Sequence, residues 1–252
     1  MHSPAPVVSG VVGRFETGLS GVKAILFDKD GTLIDFRSTW LAAYRGAAAE
    51  LAQMAGSPGL DRELLRRQGY DPQADEFSSE SPLLWATNAE IARSWADMSE
   101  LAHVGDTLAR VERHFHDGER YPPRAVGDLP PLFDRLRERG QKLGIATMDS
   151  ERKAHATAGL LGIDGHLDFV AGADSGFGEK PEPGMVHAFC ERVGVAPGSV
   201  LTVGDTHADM GMARRAGCAM AVAVLTGGMR ESELAPLADR VLSSVMEIES
   251  VL

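Results

Sequence analysis

Four short stretches of the 252-residue sequence carry the groups that phosphoryl chemistry requires. Asp28-Lys29-Asp30-Gly31-Thr32 leaves the apolar run of residues 22–28, and Thr147-Met148-Asp149-Ser150 leaves a second run at 142–147. Lys180 sits among glycines and prolines in GFGEKPEPGM, and Gly204-Asp205-Thr206-His207-Ala208-Asp209 ends the run at 199–205. Cleaving a phosphate monoester takes an in-line nucleophile, cations against the phosphoryl oxygens, and a proton for the departing alkoxide. Asp28 is suited to attack as a carboxylate, and Asp30 to protonate the leaving group and then deprotonate water. Asp28, Asp205 and Asp209 offer the hard oxygens that Mg²⁺ takes. Lys180 supplies a further cation, while the Thr147 hydroxyl and the neighbouring Met148 N–H can bind the remaining phosphoryl oxygens. Gly31 lacks a Cβ where the chain must come close to the substrate. Each stretch alone has a plainer reading: a DxD turn, a strand-end hydroxyl, a surface lysine, a capping arrangement at a helix start. Their conjunction, one set at each of several strand ends, is what points to phosphoryl chemistry.

Those stretches need elements to position them. The runs at 22–28, 142–147, 166–172, 199–205 and 219–225 are too short for helices and rich in branched residues, so they read as buried strands. Amphipathic stretches between them, such as LPPLFDRLRERG, PGMVHAFCERVG and ADMGMARRAG, read as helices. Alternation of this kind implies an α/β fold: a doubly wound parallel sheet, Rossmann-like, with ligands at the carboxyl ends of its strands. The exception is residues 36–119, where only helical periodicity is visible, as in STWLAAYRGAAAELAQMAG. That length is too great for a connection and predicts an inserted helical domain, with residues 1–35 and 120–252 forming the core. Ser38, Ser81 and Ser99 are expected helix N-caps. Residues 1–20, rich in Pro, Gly, Ser and Val, are expected to be partly ordered at best.

Composition narrows the partners. Hydrophobic residues make up 44% and charged residues 24%, as in a soluble globular chain. With 25 basic and 36 acidic residues the net charge is −11, which repels polyanions, so nucleic acid is not an expected partner. No run approaches the roughly 20 apolar residues of a membrane span, no signal peptide is visible, and the expected compartment is the cytoplasm. Cys190 and Cys218 show no CxxC spacing and are expected as buried, reduced thiols.

The four stretches together closely resemble the haloacid dehalogenase-like hydrolase superfamily: FDKDGTL its first motif, Thr147 its second, Lys180 in GEKPEP its third and GDTHAD its fourth. The segment GVAPGSVLTVGDTHADMGMARRAGC resembles the branch holding phosphoglycolate phosphatases and β-phosphoglucomutases, in which a helical cap closes over the site. The resemblance implies Asp28 as nucleophile and Asp30 as general acid/base. It further implies Thr147 and Lys180 on phosphate, and Mg²⁺ held by Asp28, the Asp30 carbonyl, Asp205 and Asp209. Two departures stand out: Met148-Asp149 replaces the usual Asn after the second-motif Thr, and Lys29 occupies a position where an apolar residue is frequent. The second aspartate speaks against a dehalogenase, whose halide leaves without a proton. A mutase would need basic cap residues, for which Arg37, Arg45, Arg66 and Arg67 are candidates, although solvated helix faces explain them equally. A phosphoryl receiver module would need no insert of this length, and a non-catalytic scaffold would leave its aspartates as uncompensated charges. Phe36, Arg37, Trp40, Tyr44, Trp85 and Asn88 are candidates for facing the site, although the aromatic residues also suit a helical core. His207 lies beside the expected metal site. The expected protein is thus a Mg²⁺-dependent phosphatase of a small phosphorylated metabolite, acting as monomer or homodimer.

Overall fold

The structure is a computed structural model that describes residues 21–78, 80–84, 86–118 and 120–252. The expectations for residues 1–20 and for Trp85 lie outside the described residues.

Strand β1 (Ala24–Phe27) is buried along its whole length and pairs in parallel with β4 (Lys142–Ala146) on one side and β6 (Val200–Gly204) on the other. Outward from β4 lies β5 (Phe169–Ala171), and outward from β6 lie β7 (Met220–Val224) and β8 (Arg240–Leu242), all parallel. Numbered within this sheet, the order is 3-2-1-4-5-6, the doubly wound arrangement. Its two-sided burial follows from the period of two along each strand. Ile25 and Phe27 pack on one face with Leu129, Leu132, Phe133 and Leu136 of helix α5 (Leu129–Glu138). Ala24 and Leu26 pack on the other with Met185, Val186 and Phe189 of α7 (Gly184–Val193). Helices α6 (Glu151–Leu160), α8 (His207–Ala216) and the short α9 (Glu231–Leu234) complete this part. β8 was not anticipated, because it is a partly exposed edge strand of three residues that shows no apolar run.

Between β1 and α5 a π-helical turn at Arg37–Leu41 leads into α1 (Ala42–Met54), followed by α2 (Leu60–Arg67), α3 (Asn88–Met98) and α4 (Thr107–His116). Their apolar faces form a cluster of their own, from Phe36 through Tyr44, Leu51 and Trp95 to Phe115. The expectation of helices alone is corrected here. β2 (Tyr70–Asp71) and β3 (Glu76–Phe77) form a two-stranded antiparallel pair, too short to carry a readable alternation. Buried Tyr70 packs on Phe77 with ring centroids 4.8 Å apart.

The expected caps also change. Ser38 lies within the π-helical turn, its N–H donating to Asp35 Oδ1 at 2.7 Å. Thr87 caps α3 in a reciprocal arrangement with Glu90, whereas Ser99 ends that helix and donates its hydroxyl to the Ala96 carbonyl at 3.0 Å. The Ser81 hydroxyl donates to the Gln68 carbonyl at 2.5 Å. Serine satisfies a helix end or a bent loop equally well, so its type alone does not choose between them. Cys190 is buried as expected, but Cys218 is only half-buried; both are free thiols. No helix among the described residues is long and apolar enough to cross a membrane.

Candidate active site

The carboxyl ends of β1, β4 and β6 are neighbours in the sheet, so the residues that follow them share one edge. Asp28 extends β1 by one step, its N–H donating to the Val203 carbonyl at 2.8 Å. Asp205 follows β6 directly, and Thr147 follows β4 with its N–H on the Ala171 carbonyl at 3.0 Å. Lys180 enters from the loop after β5 and places its Nζ 2.5 Å from Asp28 Oδ1 and 2.6 Å from Asp209 Oδ1. All four charged groups are buried.

Asp209 stands in the first turn of α8. Its Oδ2 accepts the Thr206 N–H at 3.0 Å and the Thr206 hydroxyl at 2.5 Å, and its own N–H donates back to Thr206 Oγ1. The capping arrangement and the candidate chemistry therefore coexist in GDTHAD, and both oxygens of Asp209 are engaged by protein groups. Asp205 has lighter support, a long bond from the Thr32 hydroxyl at 3.4 Å. Gly31 has φ +85°, and a Cβ there would overlap the Asp205 carboxylate. Gly31 does not line the cavity; it is needed for that backbone turn and for the room Asp205 occupies.

Oxygens of Asp28, Asp205 and Asp209 lie within 4.8 Å of one another. Burial pushes the Asp28 carboxyl up to about 7, with Asp209 and Asp30 adding to the rise and Lys180 opposing it. Asp205 is raised well above its ordinary value, first by burial and then by Asp28 and Asp209. For Lys180, burial works against the charge, but Asp209 and Asp28 outweigh it and raise its pKa. Among the described residues, Lys180 is the one ammonium ion-paired with any of these three buried carboxylates. The deficit of positive charge and the all-oxygen donor set both fit a hard divalent cation such as Mg²⁺.

Asp30 is held on both oxygens. Lys29 Nζ lies 2.6 Å from its Oδ2, and the Trp40 indole N–H donates to its Oδ1 at 2.5 Å. Beyond these groups opens a cavity of about 700 Å³ whose wall includes Asp28, Asp30, Thr147, Met148, Lys180, Asp205 and Asp209. Phe36, Trp40, Tyr44 and Asn88 of the helical segment line it too, with Leu83 and Leu84. Tyr44 and Trp40 serve two purposes, packing in the helical cluster and facing the cavity. Arg37 instead points to Asp75 at 2.9 Å. His207 lines the cavity from the first position of α8.

Sequence reasoning missed Arg152 and Lys153 in the first turn of α6, and Glu112 and His116 of α4, which also line the cavity. Burial pulls the Lys153 ammonium down despite Asp149, whose carboxylate is 3.3 Å away. Their signal was positional: α6 begins immediately beyond Thr147-Met148-Asp149, so its first turn opens onto the same sheet edge.

Comparison with known proteins agrees with this geometry. A family model described as haloacid dehalogenase-like hydrolase matches residues 22–217. The phosphoglycolate phosphatase of Chromobacterium violaceum is 28% identical over 237 residues, covering 91% of this chain and 96% of that protein. That of Rhodobacter capsulatus is 30% identical over 223 residues, covering 84% and 87% respectively. Among solved structures, a phosphatase of the same superfamily from Thermococcus onnurineus shares the fold with a TM-score of 0.61 at 23% identity, over 91% of this chain and 97% of that one.

Proposed function

The chain belongs to the haloacid dehalogenase-like hydrolases, and on that premise we propose that it is a Mg²⁺-dependent phosphatase of small organic phosphate monoesters acting through an aspartyl-phosphate. One observation carries the reading. Asp28 ends the central strand at the wall of the cavity, with Lys180 on one oxygen and Asp205 beside it in a buried, cation-deficient site.

A free oxygen of Asp28 attacks phosphorus, the bond from phosphorus to the ester oxygen breaks, and the departing alkoxide takes a proton from Asp30. Asp30, now a carboxylate, removes a proton from water as that water attacks the aspartyl-phosphate. Inorganic phosphate leaves, and both aspartates return to their starting forms. Lys180, the Thr147 hydroxyl and the Met148 N–H bind phosphoryl oxygens through this cycle. Asp209 holds Lys180 in place from the capped start of α8. Asp28, Asp205 and the Asp30 carbonyl would hold Mg²⁺, which when bound offsets the negative charge of carboxylates and phosphoryl oxygens.

The helical segment, residues 36–119, acts as a cap in this reading. It joins the sheet through two stretches that run side by side: Asp35 N–H donates to the Arg124 carbonyl at 2.8 Å, and Val126 N–H to the Leu33 carbonyl at 3.1 Å. Movement about Leu33–Arg37 and Tyr121–Pro123 would admit substrate and then exclude water. A phosphatase is favoured over a mutase because Arg37 and Arg45 pair with Asp75, Arg67 pairs with Glu63, and none of these nor Arg66 lines the cavity. Phosphoglycolate leads the candidate substrates because relatives carry that name.

Phosphate release from phosphoglycolate, hexose phosphates, nucleotides and p-nitrophenyl phosphate, with Mg²⁺ and with chelator, tests the reading. Release should require Mg²⁺, and Asp28→Asn should lose at least about 10⁴-fold in kcat. Near-normal turnover by Asp28→Asn would overturn the covalent assignment.

A further inference from the structure

Lys29 is among the largest fully buried side chains of the molecule, 2% exposed, and it does not line the cavity. A buried ammonium persists only where carboxylates compensate it. Lys29 has two: Asp30 Oδ2 at 2.6 Å and Asp149 Oδ2 at 3.4 Å. Lys29, which departs from the family pattern in the first motif, is therefore paired with Asp149, the second residue after Thr147 of the second. Asp149 is in turn held by Lys153 at 3.3 Å and by the Ser150 N–H at 2.9 Å. A chain of alternating charges thus runs from α6 through Asp149 and Lys29 to the carboxylate of Asp30. At its other oxygen Asp30 meets Trp40, whose ring lies 6.0 Å from Lys29 Nζ.

We infer that Lys29 and Asp149 form a positioning pair that fixes the orientation of the Asp30 carboxyl for proton transfer to an alkoxide leaving group. The inference rests on the proposed role of Asp30 as general acid/base. Without Lys29, one Asp30 oxygen loses its partner and the carboxyl is free to rotate about the bond that Trp40 still makes. General acid help depends on hydrogen-bond reach to the departing oxygen, so a misdirected acid penalises poor leaving groups and spares good ones. An alkyl phosphate needs that proton; p-nitrophenyl phosphate releases a stabilised anion and needs it little. A pair that only supports the fold would affect both substrates alike.

The experiment compares kcat/KM, which reports the steps up to leaving-group departure, for the best alkyl phosphate and for p-nitrophenyl phosphate. The proteins are the wild type, Asp30→Asn, Lys29→Met, Asp149→Asn and the Lys29→Met/Asp149→Asn double variant. Lys29→Met should lose about 30-fold or more on the alkyl substrate and less than about 3-fold on the aryl one. Asp149→Asn should show the same split at smaller size, and the double variant should resemble Lys29→Met alone rather than the product of the two. Equal losses on both substrates, or no loss, would overturn the inference. Should Lys29→Met fail to fold, the double variant, which leaves neither member of the pair charged, is compared on the same two substrates: a split supports the pair, and equal losses or none overturn it. Asp30→Asn separates the two levels. If it shows no split, the assignment of Asp30 as the acid falls; if it shows the split and the Lys29 variants do not, only the positioning pair falls.

Discussion

The edge of the sheet and the helical segment bury different things. At the sheet edge the chain withdraws charge from water: Asp28, Lys29, Asp205 and Asp209, each within five residues of a strand end, are buried together with Lys180 from the loop after β5. In the helical segment the large buried side chains are aromatic and aliphatic, with Tyr44, Trp95 and Phe115 meeting edge to face at centroid distances of 5.4 to 6.2 Å. Burying charge costs free energy and is tolerated where backbone position holds each partner in place. Burying aromatic rings contributes free energy and shapes a surface without committing it to one reaction. On the proposed function the first region supplies reactivity and the second fit, and residues of both line the cavity. Perturbing one should leave a different trace from perturbing the other.

The largest combined effect, on stability and turnover together, should come from Lys180→Met. It leaves Asp28 and Asp209 facing each other in a buried site with their shared cation gone. Removing one partner of a buried pair costs about 3–5 kcal/mol, so the urea midpoint should fall markedly and turnover should vanish with it. The sign of its pH dependence is fixed by the raised Lys180 pKa. The pair's contribution is fully present below the ordinary lysine value of 10.5 and is lost only as pH climbs through the higher folded value. Burial pushes its partner Asp28 up to about 7, so wild-type stability should show no loss from this pair only between about pH 8 and about 10. A Lys180→Met protein as stable as wild type would mean the sheet edge does not depend on its compensated charge.

A matching cut in the helical segment is Trp95→Ala. Trp95 is fully buried, and its truncation should cost about 3–5 kcal/mol. Trp95→Phe should cost less than about 1.5 kcal/mol, because the indole Nε1 finds no acceptor among the described residues and nothing polar is lost. Unlike Lys180→Met, a folded Trp95 variant should keep kcat on p-nitrophenyl phosphate within about 3-fold, while discrimination among alkyl phosphates weakens. A collapse of kcat on the aryl substrate would erase the division between reactive edge and fitted surface.

How far the sequence carried the reading follows the same division. Asp28, Thr147 and Asp205 were legible because each ends an apolar run, and a parallel sheet places such ends together whatever the details of packing. Lys180 was legible through its setting among glycines and prolines. What Lys29 touches was not legible, because Asp149 lies 120 positions away and only the pairing of β1 with β4 makes them neighbours. Trp40 shows the limit in the helical segment: helical spacing places it on an apolar face, but not its indole N–H on Asp30. The strand pair at Tyr70–Asp71 and Glu76–Phe77 left no pattern at all, since two residues cannot display a period of two.

The smallest expected effect probes electrostatics within the helical segment. Glu50 of α1 accepts from His114 Nε2 at 2.7 Å and Arg110 Nη1 at 2.9 Å, tying α1 to α4. Burial works against its charge, but the hydrogen bonds from His114 and Arg110 outweigh it and hold the carboxyl below its ordinary value of 4.5. A depressed folded pKa means that the contribution is present above that ordinary value and is lost as pH falls through the folded one. Glu50→Gln should therefore cost about 0.5–1 kcal/mol at pH 7, the range of a partly exposed pair, and the difference from wild type should be smaller at pH 3 than at pH 7. Urea unfolding at the two pH values measures it. Acid thus loosens α1 from α4, and a Glu50→Gln cost that is the same at both pH values would show that the charge of Glu50 does not contribute to that joint.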